Sequence, residues 1–332
     1  MLAFAGCDRL STAMVRDAGV DSVASQWERV DAGTVNFNAV AGSAPDNVFI
    51  VGDQGTILHW NGVALVREES GTTANLRGVA VADTTLAYAV GEQGTVLRRQ
   101  DEVWVAETPL TTAVLNGVCV SAGYAVAAGE QGTVLIANQG VWKLVPNDRN
   151  DNYYAVADTA AGPIIVGSLG VVVQPNLAQA TVPPVPPRIA NNYSKTLGGA
   201  VRNGSGAYVV GLDGAVFRWE PGKGTRQDLV QCNANDVNLI PAKFLRAVSM
   251  LGDTPWIVGH EGLVVTMNQT TPALDPTTCQ IVNNPFTLWP TLDDRWLTGV
   301  YAAAADDVWV VGRTGLILRG PPGVRGADGG VR

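Results

Sequence analysis

Short apolar runs of three to five residues recur along the chain in pairs, each pair split by a Gly-x-x-Gly turn. The turns stand at Gly52/Gly55, Gly91/Gly94, Gly129/Gly132, Gly167/Gly170, Gly211/Gly214, Gly259/Gly262 and Gly312/Gly315, and the first glycines step by 39, 38, 38, 44, 48 and 53 residues. A β-rich run precedes each turn, such as Val-Phe-Ile-Val at 48–51 or Val-Trp-Val-Val at 308–311. A second follows it, such as Thr-Ile-Leu at 56–58 or Leu-Ile-Leu at 316–318. Two such runs joined by a glycine-ended turn predict a tight hairpin. The last glycine is expected to supply the positive φ of a type I turn with a G1 bulge. Upstream of the hairpins lies another run, as at 76–79, 115–118, 245–248 and 297–300, and downstream of the early ones a fourth, carrying Trp104 or Trp142.

Four short strands per unit of about 40 residues is the signature of a β-propeller blade. No unit holds an apolar 3.6-residue period of useful length, which excludes helical solenoids. Inner strands packed on both faces by neighbouring sheets should read as near-continuous apolar runs, as residues 207–210 and 164–166 do. The last unit shows three strands and then runs into Gly320-Pro-Pro-Gly-Val-Arg, a poor strand, whereas residues 26–30 look like an orphan fourth strand. Trp27 lies 13 residues before Val40, and Trp104 and Trp142 lie 14 before Val118 and Val156. The expected fold is therefore all-β: a seven-bladed propeller over residues 26–319, four antiparallel strands per blade, with the N-terminal strand closing the last blade. Residues 1–25 form a signal-like segment and linker, and 320–332 a flexible Gly/Pro-rich tail.

The string from Asp46 to Gly62, Asp-Asn-Val-Phe-Ile-Val-Gly-Asp-Gln-Gly-Thr-Ile-Leu-His-Trp-Asn-Gly, resembles the repeat of bacterial propellers of the photosystem II stability/assembly-factor-like type, grouped loosely with the BNR and YVTN propellers. The resemblance covers residues 26–319 and implies the fold, with an assembly or scaffold role as its functional counterpart. A sialidase-type Asp-box would place Ser-x-Asp-x-Gly-x-Thr-Trp between the third and fourth strands. Here those positions read Asn61-Gly62-Val63 and Gln139-Gly140-Val141-Trp142, without the Ser and the Asp, which argues against a glycosidase.

Composition narrows the partners. A net charge of −8, with 30 acidic residues against 22 basic ones, excludes a general affinity for nucleic acid. Two histidines and four cysteines in 332 residues argue against a multi-ligand metal site, and no cofactor motif is present. The first seven residues end in Ala5-Gly6-Cys7, similar to the last part of a bacterial lipoprotein signal, though without its basic and apolar regions. Two readings stand: Cys7 is acylated and anchors an extracytoplasmic domain of the cell envelope, or it is a chance cysteine in a frayed terminus.

In a propeller, the turn between strands two and three and the start of strand one share the face around the channel mouth. The candidate binding crown is therefore Asn38, Asp53, Arg77, Glu92, Asn116, Glu130, Tyr154, Asp213, Arg246, His260, Glu261 and Arg313, polar and mostly acidic, with Arg77 and Arg246 near the inner rim. The alternative is a set of merely solvated turn residues. Neither His59 nor His260 has a nucleophile or carboxylate at a motif spacing, and Asp306-Asp307 sits where a turn residue is expected. Cys232 and Cys279 fall at matching places in the two longest insertions and are expected to pair as a disulfide, while Cys119 is expected to be a buried, inert thiol. The 182–188 run, Val-Pro-Pro-Val-Pro-Pro-Arg, should be polyproline II. The expectation is a monomeric, non-enzymatic, exported propeller that binds a protein or glycan, touching membrane only through a lipid anchor. The alternative is a glycan hydrolase using carboxylates such as Glu92, Glu130 and Asp213, which must lie about 5–10 Å apart.

Overall fold

The structure is a computed structural model that describes residues 27–121, 123–146, 148–182, 195–227, 243–268, 273–274, 281–283 and 286–320. Seven antiparallel sheets follow one another as the blades of a propeller. Their first strands are Phe37–Ala44, Leu76–Val81, Leu115–Ser121, Tyr153–Ala157, Leu197–Asn203, Leu245–Leu251 and Leu297–Ala304. Six sheets have four strands, and blade four has three among the described residues. Blade six carries a small extra hairpin, Ala273–Leu274 with Ile281–Asn283, between its third and fourth strands. Among the described residues no helix is long and apolar enough to cross a membrane.

The second strand of a blade is covered on both faces, and its sequence shows why it can be. Asn47–Gly52, Gly206–Gly211 and Asp307–Gly312 are buried at every position. Each Val or Ile so enclosed contributes roughly 1.5–3 kcal/mol. The buried side chains gather into clusters at the blade-to-blade interfaces. One joins Phe37, Ile50 and Leu58 of blade one to Trp309, Val311 and Ile317 of blade seven. Cys119 is buried in the cluster between blades three and four, and that burial pushes its thiol pKa up, as an inert thiol requires.

The N-terminal strand Glu28–Arg29 pairs with the third strand of blade seven, Glu28 opposite Arg319 and Arg29 opposite Leu318. The Val30 N–H adds a further bond to the Ile317 carbonyl at 3.0 Å. Trp27 is buried just before this strand, edge-on to Trp256 at 6.4 Å between ring centroids. Blade seven is thus completed by the opposite end of the chain.

The turns differ from the sequence expectation in type. In all seven, the residue before the last glycine also has positive φ, between 53° at Leu169 and 58° at Gln54 and Asp213, followed by the glycine at 65° to 70°. With the Thr56 N–H bonded to the Asp53 carbonyl at 3.1 Å, this is a type I′ turn. Its backbone twist matches the right-handed twist of the flanking strands, whereas a type I turn would splay them. The final glycine has a second task. Its N–H crosses to the next blade in every case, to the carbonyls of Ala74, Ala113, Asp151, Lys195, Lys243, Arg295 and Val35 at 2.7 to 3.0 Å. A Cβ at Gly94 or Gly315 would run into a carbonyl of that same neighbouring segment, Thr111 or Gly33. The last bond, Gly315 to Val35, joins blade seven to blade one on the channel side.

Cys7 and the pair Cys232 and Cys279 lie outside the described residues, as do residues 183–188 and the tail after Gly320.

Candidate functional site

Each blade has a β-bulge at the same place, the second residue of its first strand. The ladder skips Asn38, Arg77, Asn116, Tyr154, Gly198, Arg246 and Thr298 in turn. A bulged residue leaves the alternation of the strand, and its side chain is re-aimed. Here the seven bulges line the channel. Their position at the start of strand one predicts a place at the mouth, and the bulge is the device that turns them inward.

Three of the seven are used by the ring itself. The Asn38 amide donates to the Leu76 carbonyl at 2.8 Å, Asn116 to the Tyr153 carbonyl at 2.9 Å, and the Thr298 hydroxyl to the Phe37 carbonyl at 2.6 Å. Each bond staples one blade to the next. Asn38 and Asn116 are therefore structural members of the crown.

Three of the acidic turn residues, Glu92, Asp213 and Glu261, are ion-paired, and Asp53 is held by neutral amides. Asp53 accepts from Asn36 at 2.8 Å and Asn38 at 2.9 Å. Glu92 is paired with Arg77 and accepts from Asn75, and the Arg77 hydrogen bond outweighs partial desolvation to lower its pKa. Asp213 pairs with Lys195, and Glu261 with Lys243 at 2.7 Å. A general acid needs a raised pKa, so an ionised, paired Glu92 suits proton donation poorly. Glu130 lies in the equivalent turn of blade three, its N–H bonded to the Val114 carbonyl. Among the described residues no three His, Cys, Asp or Glu side chains converge to hold a metal.

The remaining sector, from blade four across blades six and seven, has a different character. Arg246 is half-buried, its guanidinium 5.9 Å from the Tyr154 ring centroid and 5.8 Å from that of Phe244. It reaches Tyr154, two blades away, across Gly198, where the intervening blade presents no side chain. Arg313 lies 4.2 Å over Trp296. His260 stacks on the same indole at 4.0 Å and meets Phe244 edge-on at 5.2 Å. Among the described residues, neither Arg246 nor Arg313 has an acidic partner. Burial lowers the pKa of Arg246, and the charges of Arg313 and Arg77 add to that. His260 is lowered by burial and then by Arg246 and Arg313, so it stays neutral beside them. Phe244, Arg246, His260, Trp296 and Arg313, with Asn38, Arg77 and Asn116, line a cavity of about 350 Å³, within the usual range of small-molecule sites.

The sequence expectation does not include Phe244 and Trp296. Both occupy the position just before strand one, which carries Asn36, Asn75, Val114, Asn152 and Thr196 in the first five blades. Aligning the repeats on their glycines exposes the two aromatic exceptions. Within the expected crown, Arg246 and Arg313 are the cations without an acidic partner among the described residues, while Asp53 is held by asparagine amides.

No family model matches the chain, and no curated protein is significantly similar to it in sequence. Solved structures are similar in fold. "YCF48 bound to D1 peptide" superposes with a TM-score of 0.64 at 12% identity, covering 90% of this chain and 95% of that one. "Crystal structure of RRP9 WD40 repeats" gives 0.67 at 9% identity, covering 89% and 97%. "YCF48 from Cyanidioschyzon merolae" gives 0.61 at 13% identity, covering 89% and 98%. At these identities the likeness establishes a seven-bladed propeller and no more.

Proposed function

We propose that the chain is a non-enzymatic interaction scaffold that holds a protein partner against the channel mouth. One observation carries the reading: the ring sets two arginines against aromatic rings at the mouth, Arg246 half-buried and Arg313 exposed, with no acid among the described residues to neutralise them. Leaving the Arg246 charge partly desolvated and unpaired costs stability, and binding is a use that offsets the cost. A D1 peptide bound to a propeller of the same fold supports a peptide-bearing partner. Export and anchoring through Cys7 belong to the same proposal and rest on the Ala5-Gly6-Cys7 sequence alone. Intact-mass measurement from the native membrane fraction tests the anchor, through the added mass of acyl chains.

The test of the scaffold is site-specific photo-crosslinking. A crosslinker at Thr314, on the mouth, should capture one defined protein, and one at Val141, on the exposed outer strand of blade three, should not. Capture should fall at least tenfold in the double variant R246Q/R313Q. Equal capture from both positions, or capture untouched by the double variant, overturns the reading. So does enzyme-like turnover of a glycan or ester panel.

A further inference from the structure

The scaffold reading leaves open what chemistry the mouth recognises. We infer that the cavity at the channel mouth beside blades six and seven is a receptor for a carboxylate carried on a flat apolar or aromatic group. The inference rests on the proposed function and names the group through which a partner would engage.

The charges select an anion. Arg246 and Arg313 face the same cavity, Arg77 adds a third guanidinium whose charge is shared with Glu92, and no other carboxylate among the described residues is paired with them. The walls select what carries the anion. Trp296 and Phe244 are two aromatic walls of the cavity, and Trp296 is 43% exposed, far more than the buried tryptophans of the blade interfaces. The Arg313 guanidinium lies 4.2 Å from the Trp296 ring centroid and is exposed to solvent, with no acidic partner among the described residues. A planar guanidinium edge matches a carboxylate in bidentate geometry. A strongly hydrated tetrahedral anion gains nothing from the aromatic walls, whereas a benzoate-like or phenylalanine-like group buries its ring on them. Neutral His260, stacked on Trp296, fixes that wall without competing for the anion.

The same chemistry has two sources: the end or an acidic residue of a partner chain, or a free aromatic acid. Calorimetric titration of the full chain separates them. The probes are benzoate, its neutral isostere benzamide, inorganic phosphate, and the tripeptide acetyl-Gly-Gly-Phe with a free or an amidated C-terminus. Benzoate should bind saturably, with benzamide and phosphate each at least tenfold weaker, and R313Q should weaken benzoate about tenfold, or about 1.4 kcal/mol. R246Q should do the same, and R29Q, on the exposed closing strand, should bind like the parent. If R246Q fails to fold, the turn variant R313Q and the acid-to-amide comparison still decide. A free-acid peptide binding at least tenfold tighter than benzoate assigns the site to a chain end, and a weaker one assigns it to a free acid. Absence of saturable binding by either acid, equal binding of acid and amide, or binding indifferent to both arginine variants overturns the inference. Failure here with intact mouth-specific crosslinking leaves the scaffold reading standing. Acid binding without mouth-specific capture removes the scaffold reading instead.

Discussion

Glu68 accepts hydrogen bonds from three side chains where blades one and two meet. His59 Nδ1 lies 2.9 Å away, Arg99 donates through Nε at 3.0 Å and Nη2 at 2.9 Å, and the Trp104 indole at 2.7 Å. Burial alone would raise its pKa, but these bonds and the Arg99 charge win and lower it from 4.5 to about 2. His59, stacked on Phe49 at 4.1 Å with Nε2 against Asn47, is thereby a structural residue. Because the folded pKa lies below the unfolded one, the stabilisation is fully present above about pH 4.5 and is lost as pH falls towards 2. Glu68→Gln should cost about 3 kcal/mol at neutral pH, since it strands the nearly buried Arg99. Melts from pH 7 to pH 2.5 should show the variant and parent converging as the acid is approached; a gap independent of pH would contradict the assignment. Asp307 is also held by an arginine. Expected in a turn, it instead begins strand two of blade seven, buried, with both carboxylate oxygens on Arg319, whose guanidinium lies over Trp60 and Trp309. Such networks are unreadable in sequence because their members meet only after strands pair and, for Glu68 with Arg99 and Trp104, after two blades pack.

The hairpin turn is the element on which the ring depends, and its two left-handed positions should respond oppositely to substitution. Gly94 combines a φ of +66° with a carbonyl of the next blade where a Cβ would go. Gly94→Ala should therefore destabilise by more than about 1–3 kcal/mol of backbone strain alone. Gln93 sits at φ 57° as a non-glycine residue, so Gln93→Gly should be neutral or stabilising by up to about 1 kcal/mol. Chemical denaturation of the two variants checks this, and a loss of similar size in both would contradict a type I′ turn. The glycine spacing by itself makes the hairpins and the number of blades legible. The turn type is less so, because Gln54, Gln93 and Gln131 are poor advertisements for a left-handed backbone. The seven bulges leave no sequence mark, since Asn38, Arg77 and Gly198 share a location and nothing in chemistry. The mouth is therefore legible as a place, and its unpaired cations are not. They emerge only when Asp213 and Glu261 are seen to be occupied by Lys195 and Lys243.

At the scale of the whole molecule, the mouth exists because the ring is shut. Arg313 and Trp296 belong to blade seven, whose outer edge is covered by Glu28–Arg29 and whose channel side is tied to blade one by Gly315 and Thr298. The closing strand is anchored by Trp27 in the cluster that holds Trp256, Val310 and Leu318. This closure also explains how two chain ends nearly the full sequence apart can be paired from spacing alone: the N-terminal run keeps the Trp-to-Val interval of an ordinary fourth strand. The central claim is that one closed seven-bladed ring supports the mouth, and thermal melts of two deletions test it most directly. Removing residues 1–22 should leave the melting temperature essentially unchanged. Removing 1–31 takes away Trp27 and bares the edge at Leu318 and Arg319, a loss of roughly 3–5 kcal/mol for the tryptophan alone, and should lower the melting temperature by about 5 °C or more. Equal melting temperatures for the two deletions would contradict closure by the N-terminal strand.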